Sequence, residues 1–553
     1  MNGGDSGESL MSAEGVNLSG KRTERTRFSR VCFFLIFFGA AEAFRFGGCF
    51  FSGKTKKERF FIMQEFLLKV AANINTYLSN YILVFLLVGT GIFYSVRTKF
   101  VQVRCFGEGM KKVFGKFSLS GGKQKSGLSS FQALTAAIAA QVGTGNIVGA
   151  CGAILIGGPG AIFWMWIIAF FGMATIYAEA VLAQETKITN PDGSVLGGPV
   201  YYIKRAFKGK FGKFLAGFFA VAITLALGFM GSMVQSNSIA ESFGNSLSTS
   251  FGWDAKVVMI VVGVILTAIS AFIFIGGVQR LASVTEKIVP IMAVLYLLGG
   301  LVVICANITA IPEAIGMIFK FAFQPAAILG GGIGYAFKEA ISQGAKRGLF
   351  SNEAGMGSTP HAHAQANVEK PHDQGVVAMI GVFIDTFIVL TMTALIAITV
   401  LYTEGGVLHG LATSGIASEN FAELASALGV NKGNMIQLAF SDVFGSTFGS
   451  IFVSVCLFFF AFSTIISWNF FGKINFNYLF GKKATIVYSV LALVFIFLGS
   501  LTSNDLVWEW TDVFNNLMVI PNALALLALS GIVVNSVKAA KAKKQPTIDE
   551  ENN

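Results

Sequence analysis

The sequence predicts an all-α, polytopic membrane protein with about eleven transmembrane helices, two of which are discontinuous. Hydrophobic residues make up 54% of its 553 residues and charged residues only 13%, whereas soluble domains contain about 25% charged residues. Apolar runs of about 20 residues, the length that one helix needs to cross the hydrocarbon, recur along the chain. Glycine-rich breaks interrupt two of these runs. These observations exclude a soluble fold.

The apolar runs leave no room for a sizeable soluble domain, so a receptor with a large extramembrane domain is not expected. Numbered as spans one to eleven, they lie at residues 77–96, 129–156, 160–184, 214–235, 257–279, 287–306, 326–343, 376–402, 448–469, 484–502 and 513–536. The formal charge of +11 does not indicate a nucleic-acid partner, because the basic residues are dispersed over the connections between spans. The expected surroundings are a lipid bilayer.

Lysine and arginine are concentrated in alternate connections. Counted with Lys287 at the edge of span six, the connections after odd-numbered spans hold 26 of these residues, and those after even-numbered spans hold only Lys256, Lys320 and Lys432. Cytoplasmic connections carry such an excess of positive charge. We therefore expect span one to be entered from outside the cell and the C-terminus to be cytoplasmic.

Residues 1–62 do not fit this topology, because they contain ten basic residues. Their apolar piece, from Val31 to Phe44, is short and contains Glu42, so it is closer to a signal-peptide core than to a span. A start at Met63 would remove the conflict. We expect an over-extended start or, alternatively, a cleaved signal segment.

Span two is interrupted by Gly143, Thr144, Gly145 and Asn146. Glycine is the poorest helix former after proline, so the helix is expected to unwind here. Unwound backbone at membrane depth is tolerated only where it is buried in protein or lines a cavity. Two such breaks far apart in a chain point to the binding site of a secondary transporter.

Span seven contains the second break, with Gly330, Gly331 and Gly332 at its centre. Spans two and seven then each lead a set of five spans, and the odd number gives the two sets opposite orientations, as in inverted repeats. The alternative is that the glycines only permit close helix packing. The predicted division is an extra first span with a basic loop (63–128), two repeats (129–306 and 307–536) and a tail (537–553).

Other chemistry has little support in the sequence. The six cysteines show no metal-ligand spacing, and His361 and His363 alone make a poor metal site. The chain has no phosphate-binding GxxxxGK[ST] loop and no nucleophile–base set. We therefore expect neither an ATP-driven pump nor an enzyme.

Five segments resemble the signature of the alanine or glycine:cation symporters, also called sodium:alanine symporters. They are Thr144–Gly149, Gly157–Trp166, Arg347–Ser358, Phe462–Trp468 and Leu517–Asn522. The resemblance implies sodium-coupled uptake of small neutral amino acids, alanine or glycine, in a leucine-transporter-like fold with a 5+5 inverted repeat. It also implies the bacterial cytoplasmic (inner) membrane as location and sodium as coupling ion, without a further cofactor.

A zwitterionic amino acid needs donors for its carboxylate and acceptors for its ammonium group. The N–H groups of Thr144, Gly145 and Asn146 begin the second half of span two and are expected to face the cavity, where the helix dipole favours an anion. Gly143 and Gly145 allow a ligand to approach the backbone closely. Carbonyls freed at residues 330–332 would accept from the ammonium group.

Sodium is a hard cation and requires oxygen ligands. Ala139 and Val142 contribute carbonyls at the C-terminal end of the first half-helix, and Ser463 and Thr464 offer adjacent hydroxyls in span nine. Aligned through the resemblance, these four residues match the sodium site between helices one and eight of the leucine-transporter fold. Alternatively, each hydroxyl bonds the carbonyl one turn back. Asn146 either binds a second ion or maintains the shape of the break.

Ionisable residues inside spans are functional candidates. Those in this chain are Glu179, Lys338, Glu339 and Asp385. We interpret Glu179 and Glu339 as structural or gating residues rather than ligands. Glu353, close to the cytoplasmic end of span seven, is expected to pair with Arg347 in an inner gate, unless it is a solvated loop charge.

Two alternatives to a sodium symporter stay open. A proton can replace sodium as the coupling ion. An ion channel also contains broken helices, but it normally needs a polar ring around its pore, and the sequence shows none.

Overall fold

The computed structural model describes residues 56–115, 128–191, 194–323, 333–413, 418–502 and 504–542. Nearly all of this chain is helical. The α-helices up to residue 306 are Lys56–Tyr77, Val84–Arg97, Val101–Arg104, Phe106–Phe114, Ser130–Gln141, Ala150–Gly157, Gly160–Thr186, Pro199–Ala206, Gly209–Ile223, Ser232–Phe251, Ala255–Ile275 and Gly277–Ala306. The later ones are Ile311–Phe323, Ile333–Asn352, Pro360–Ala364, Pro371–Val382, Thr391–Leu401, His409–Thr413, Ser418–Ala427, Met435–Phe444, Ser446–Phe480, Thr485–Gly499, Asn504–Ala528 and Ser530–Ala542.

Irregular helical turns join several of these segments. The π-helical turns are Leu78–Leu83, Gly145–Gly149, Thr224–Gly231 and Phe383–Leu390, and the 3₁₀ turns are Ile308–Ala310 and Lys482–Ala484. The short strands Ile188–Thr189 and Val195–Leu196 pair antiparallel in a hairpin. Because π turns occur frequently at functional sites, the two that contact each other, Gly145–Gly149 and Phe383–Leu390, direct attention to the centre of the molecule.

Eight helices of the described part are long and apolar enough to cross a membrane. They are Gly160–Thr186, Gly209–Phe251, Ala255–Ile275, Gly277–Ala306, Pro371–Leu401, Ser446–Phe480, Lys482–Gly499 and Asp505–Ala528. Ser130–Gln141 and Gly145–Gly157 form one further span that bends by 46° at its break. These nine segments coincide with nine of the eleven predicted spans.

The other two predicted spans differ in detail. Helical turns continue from Lys56 to Arg97 around span one, and the apolar part, Val84–Arg97, is shorter than a full span. Span seven corresponds in part to helix Ile333–Asn352, while the preceding residues lie outside the described part. The total of eleven spans and the 5+5 repeat therefore stay predictions.

Small residues allow the helices to pack closely. A Cβ atom on Gly160 would lie 2.2 Å from the backbone carbon of Phe321 and 2.3 Å from the nitrogen of Ala322. A Cβ on Gly344 would lie 2.6 Å from the Cβ of Trp164. Helix Gly160–Thr186 thus contacts two neighbouring helices at distances that only glycine permits.

We expect Gly160→Ala to destabilise the protein by about 1–3 kcal/mol, because the new methyl group overlaps backbone atoms that cannot rotate away. Thermal unfolding of the purified protein in detergent measures the effect. Gly89→Ala is the matched control, since a Cβ on Gly89 meets nothing within 4 Å. Equal unfolding temperatures for the two variants would contradict the packing described here.

Candidate functional site

The first candidate element is the break in span two. A capping box at Ser129 begins the first half-helix, which ends at Gln141. Residues 142 and 143 are not helical, and the second half begins with Thr144 and the π turn at Gly145. All residues from 133 to 155 are buried, so this interruption lies inside the protein and not against lipid.

Side chains satisfy several backbone groups at the break. The N–H of Gly143 donates to Asn146 Oδ1 at 3.0 Å, and the N–H of Thr144 donates to Gln235 Oε1 at 3.1 Å. The N–H of Asn146 donates to the Gly143 carbonyl at 3.3 Å. The N–H groups of Thr144 and Asn146, which were expected to face the cavity, are therefore paired within the protein in this conformation.

Both glycines of the break are required by close contacts. A Cβ on Gly143 would lie 2.4 Å from Thr464 Oγ1 and 3.1 Å from Gln235 Oε1. A Cβ on Gly145 would lie 3.0 Å from the Cα of Ser351. Gly145 is therefore explained by close helix packing, which was the alternative interpretation of the glycines. Gly143 instead allows two polar side chains to reach the backbone.

The four residues predicted to bind sodium lie together. Thr464 Oγ1 is 2.8 Å from the Ala139 carbonyl oxygen and 3.5 Å from that of Val142. Ser463 Oγ is 3.4 Å from the Ala139 carbonyl oxygen. Both hydroxyls also approach the Phe460 carbonyl, at 2.9 Å from Ser463 and 3.1 Å from Thr464. Each hydroxyl therefore contacts both the carbonyl one turn back on its own helix and at least one carbonyl of the broken helix.

A second break lies opposite the first, at residues 353–359. Helix Ile333–Asn352 ends there, and the chain stays buried but is not helical until Pro360. Gly355 and Gly357 have φ angles of 88° and 83°, which glycine adopts without strain. The helix end that leads into this interruption packs against the first break, because a Cβ on Gly145 would lie 3.0 Å from the Cα of Ser351.

The break that the sequence predicts in span seven lies at residues 330–332. Gly330, Gly331 and Gly332, with the side chain of Lys338, lie outside the described residues. Residues 347–358, which follow the predicted end of span seven, are buried. The glycines at 355 and 357 were the available sequence signal for the break at residues 353–359. The polar residues around them lower the local hydropathy, so this segment was not predicted as part of a span.

Glu179 holds the second break in place. Its carboxylate accepts the N–H groups of Gly355 and Gly357, each at 3.0 Å, and the side-chain amide of Asn522 at 2.6 Å. Tyr202 in turn donates its hydroxyl to Asn522 Oδ1. A buried carboxylate that accepts two main-chain donors fixes the path of unwound backbone.

The expected pair between Glu353 and Arg347 is wrong. Glu353 accepts the indole N–H of Trp468 and the hydroxyl of Ser358, the latter at 2.5 Å, and it is buried rather than solvated. The guanidinium of Arg347 instead approaches Asp512 at 3.2 Å. Trp468 follows the hydroxyl pair of span nine by one turn, so Glu353 connects that helix to the second break.

Glu339 has a local partner in the described part of the chain. Its Oε1 accepts the side-chain amide of Gln343, one turn later on the same helix, at 2.7 Å. The contact gives Glu339 no direct link to either break.

Asp385 connects the two breaks. Asn146 donates to its Oδ1 at 2.6 Å, Ser351 donates to its carboxylate at 3.0 Å, and Thr386 donates to its Oδ2 at 2.8 Å. All three donors are neutral, and Asp385 is fully buried. A carboxylate in this setting attracts a cation or a proton. Sequence reasoning named Asp385 but did not place it at the breaks.

The model of the sodium:alanine symporter family matches residues 64–553. The chain belongs to the sodium:alanine symporter family. It is therefore a multi-pass membrane transporter of the amino-acid symporter type and not an enzyme. The fold agrees with a solved structure, MhsT in complex with L-phenylalanine, which has 15% identity and a TM-score of 0.50, with coverage of 76% of this chain and 100% of MhsT.

Curated relatives of this family cover most of the chain. Sodium/alanine symporter AgcS of Methanococcus maripaludis is 38% identical over 468 residues, which are 84% of this chain and 95% of AgcS. Probable sodium/glutamine symporter GlnT of Bacillus subtilis is 37% identical, with 88% and 94% covered. Putative sodium/proton-dependent alanine carrier protein YrbD of the same organism is 37% identical, with 86% and 93% covered.

Glu179→Gln is expected to release the second break. The substituted amide cannot accept from both Gly355 and Gly357 and still bond Asn522, so we expect a loss of about 3 kcal/mol in stability and little uptake activity. Thermal unfolding in detergent and uptake into proteoliposomes give the two readouts. Glu185→Gln, at an exposed site near the end of the same helix, serves as control. Wild-type behaviour of Glu179→Gln would show that the carboxylate does not hold this segment.

Proposed function

We propose that the protein is a sodium-coupled symporter that imports small neutral amino acids, alanine or glycine, by alternating access. The observation that carries the proposal is the convergence of four oxygen atoms at the first break. They are the carbonyls of Ala139 and Val142 and the hydroxyls of Ser463 and Thr464, with Thr464 Oγ1 2.8 Å from the Ala139 carbonyl. Midplane sites beside discontinuous helices are typical of secondary transporters.

The chemistry of this group of oxygens suits sodium. The two carbonyls lie at the C-terminal end of a half-helix, where the dipole is negative. A hydroxyl that donates its hydrogen to the Phe460 carbonyl still has lone pairs for a cation. The contact one turn back therefore orients Thr464 for ion binding and does not compete with it.

The substrate carboxylate is proposed to bind the start of the second half-helix. Thr144 Oγ1 and Gln235 Nε2 are both buried and have no hydrogen-bond partner among the described residues. Such groups are costly unless a ligand or water satisfies them. We infer that the carboxylate replaces Gln235 Oε1 at the N–H of Thr144, after which Gln235 turns its amide nitrogen toward the ligand.

The relatives set the range of substrates to be tested. One relative is named for alanine and another for glutamine, so the family accommodates neutral side chains of different size. Phe350 packs edge-on against Trp468 beside the breaks, with ring centroids 5.5 Å apart. These rings favour a small side chain, although apolar walls discriminate between neighbouring sizes by only ~10–200-fold.

A proton as coupling ion is the second candidate, and Asp385 is the observation that favours it. Its three neutral donors leave the charge of the carboxylate uncompensated. The name of YrbD includes sodium and proton dependence. We favour sodium as the coupling ion, because the oxygen atoms around Thr464 can bind a cation and none of them belongs to a titratable group.

The topology is proposed from the loop charges. The excess of 26 basic residues over three supports a cytoplasmic location for the connections after odd-numbered spans and for the C-terminus. The bacterial cytoplasmic membrane is the corresponding location.

Thr464→Ala should raise the sodium concentration needed for half-maximal alanine uptake by about 10-fold or more, because one ion ligand is removed. The measurement is uptake of radiolabelled alanine into proteoliposomes at varied external sodium. Thr447→Ala, at an exposed position of the same helix, provides the control. Unchanged sodium dependence in Thr464→Ala would remove the proposed ion site, and equal accumulation without a sodium gradient would refute sodium coupling.

Asp385→Asn should abolish accumulation driven by a sodium or a proton gradient. The substitution preserves size but removes the negative charge, which in a buried site provides most of the attraction for a cation. Accumulation is compared under each gradient in turn, with Asp442→Asn at an exposed site as control. If Asp385→Asn accumulated alanine to the wild-type level, the carboxylate would have no part in coupling.

A further inference from the structure

Three potential metal ligands meet far from the substrate and sodium residues. Cys105 immediately precedes helix Phe106–Phe114, Glu108 lies in the first turn of that helix, and His372 lies in the first turn of helix Pro371–Val382. One ligand atom from each residue lies within 4.8 Å of the other two. The residues are 267 positions apart at most, so only the fold brings them together.

The separation of the imidazole and the carboxylate is compatible with two ligands of one metal ion. His372 Nε2 and Glu108 Oε1 are 3.5 Å apart, beyond the usual hydrogen-bond distance of about 2.7–3.2 Å. Zinc binds nitrogen and oxygen at about 2.0–2.2 Å, and two ligands of a tetrahedral site are then about 3.4 Å apart. A thiolate, an imidazole and a carboxylate are all ligands that zinc accepts.

A separate observation concerns the orientation of the imidazole. The Tyr177 hydroxyl lies 2.7 Å from His372 Nδ1, and both side chains are buried. The tyrosine hydroxyl oxygen has lone pairs that can accept from an Nδ1–H. Metal-binding histidines characteristically donate their second N–H in this way, which leaves the lone pair of Nε2 for the metal.

Access and charge also fit an ion site. The side chain of Glu108 is 21% exposed and that of His372 is 4% exposed, so the group is open on one side. The neighbouring charges are Lys112 and Asp373, which pair with each other at 3.2 Å and compensate one another.

We propose that Cys105, Glu108 and His372 form a zinc-binding site, with water as the fourth ligand. The site joins the connection after span one to the beginning of span eight, two parts of the chain that also meet through the Lys112–Asp373 pair and through close packing of Gly109 against Val376 and Ile380. Zinc bound there restrains helix Phe106–Phe114 against the helix that carries Asp385.

The test is zinc binding by the full-length protein in detergent, after chelator treatment, measured by titration calorimetry and by metal analysis. We expect one zinc ion per chain and a higher unfolding temperature, because a ligand that binds only the folded state stabilises it. Cys105→Ser and His372→Gln should each weaken binding by about 100-fold or more, and Tyr177→Phe by about 10–100-fold. Substituted cobalt should give a sulfur-to-metal charge-transfer band that Cys105→Ser removes.

Cys305→Ser is the control, because Cys305 is an exposed cysteine elsewhere in the fold. The site is refuted if wild-type protein binds no stoichiometric zinc, or if Cys105→Ser and His372→Gln bind it like the control. None of these readouts depends on amino-acid transport, so failure of the proposed function and failure of this site are distinguishable.

Discussion

The structure depends on one constraint: unwound backbone at membrane depth must find hydrogen-bond partners inside the protein. Each unpaired polar group in hydrocarbon costs several kcal/mol, so a break survives only where side chains replace the missing helical bonds. At the first break Asn146 and Gln235 accept main-chain N–H groups. At the second break Glu179 accepts two more. The side chains that satisfy the backbone are therefore also those that shape the candidate site.

The same constraint links the two breaks to each other. Asn146 accepts from the first break through its oxygen and donates to Asp385 through its nitrogen. Asp385 in turn accepts from Ser351, at the end of the helix that leads into the second break. A ligand that changes the hydrogen bonds at one break must change those at the other, because a single amide and a single carboxylate serve both. Coupling between an ion and a substrate requires such a shared element with more than one arrangement.

Sequence reasoning succeeded where one residue type carries a local signal. The first break follows from glycines inside an apolar run, and nine of the predicted spans follow from hydropathy alone. The break at Gly355 and Gly357 was missed because these glycines lie among polar residues, whose burial depends on a carboxylate from another helix. The Arg347–Asp512 pair, 165 positions apart, was equally out of reach, since a sequence does not show which of several acidic residues faces a given arginine.

The buried carboxylates of Glu179 and Asp385 accept hydrogen bonds from different kinds of donor. This difference indicates a structural role for Glu179 and a transport role for Asp385. Two of the three donors to Glu179 are main-chain N–H groups, whose positions the fold fixes. Donors to Asp385 are two hydroxyls and an amide, which can rotate. A rotated hydroxyl presents its oxygen instead of its hydrogen, so Ser351 and Thr386 can join Asp385 as ligands of a cation. Glu179 has no such freedom. We therefore expect Glu179 to keep the second break in place, and we propose that Asp385 exchanges partners when an ion binds.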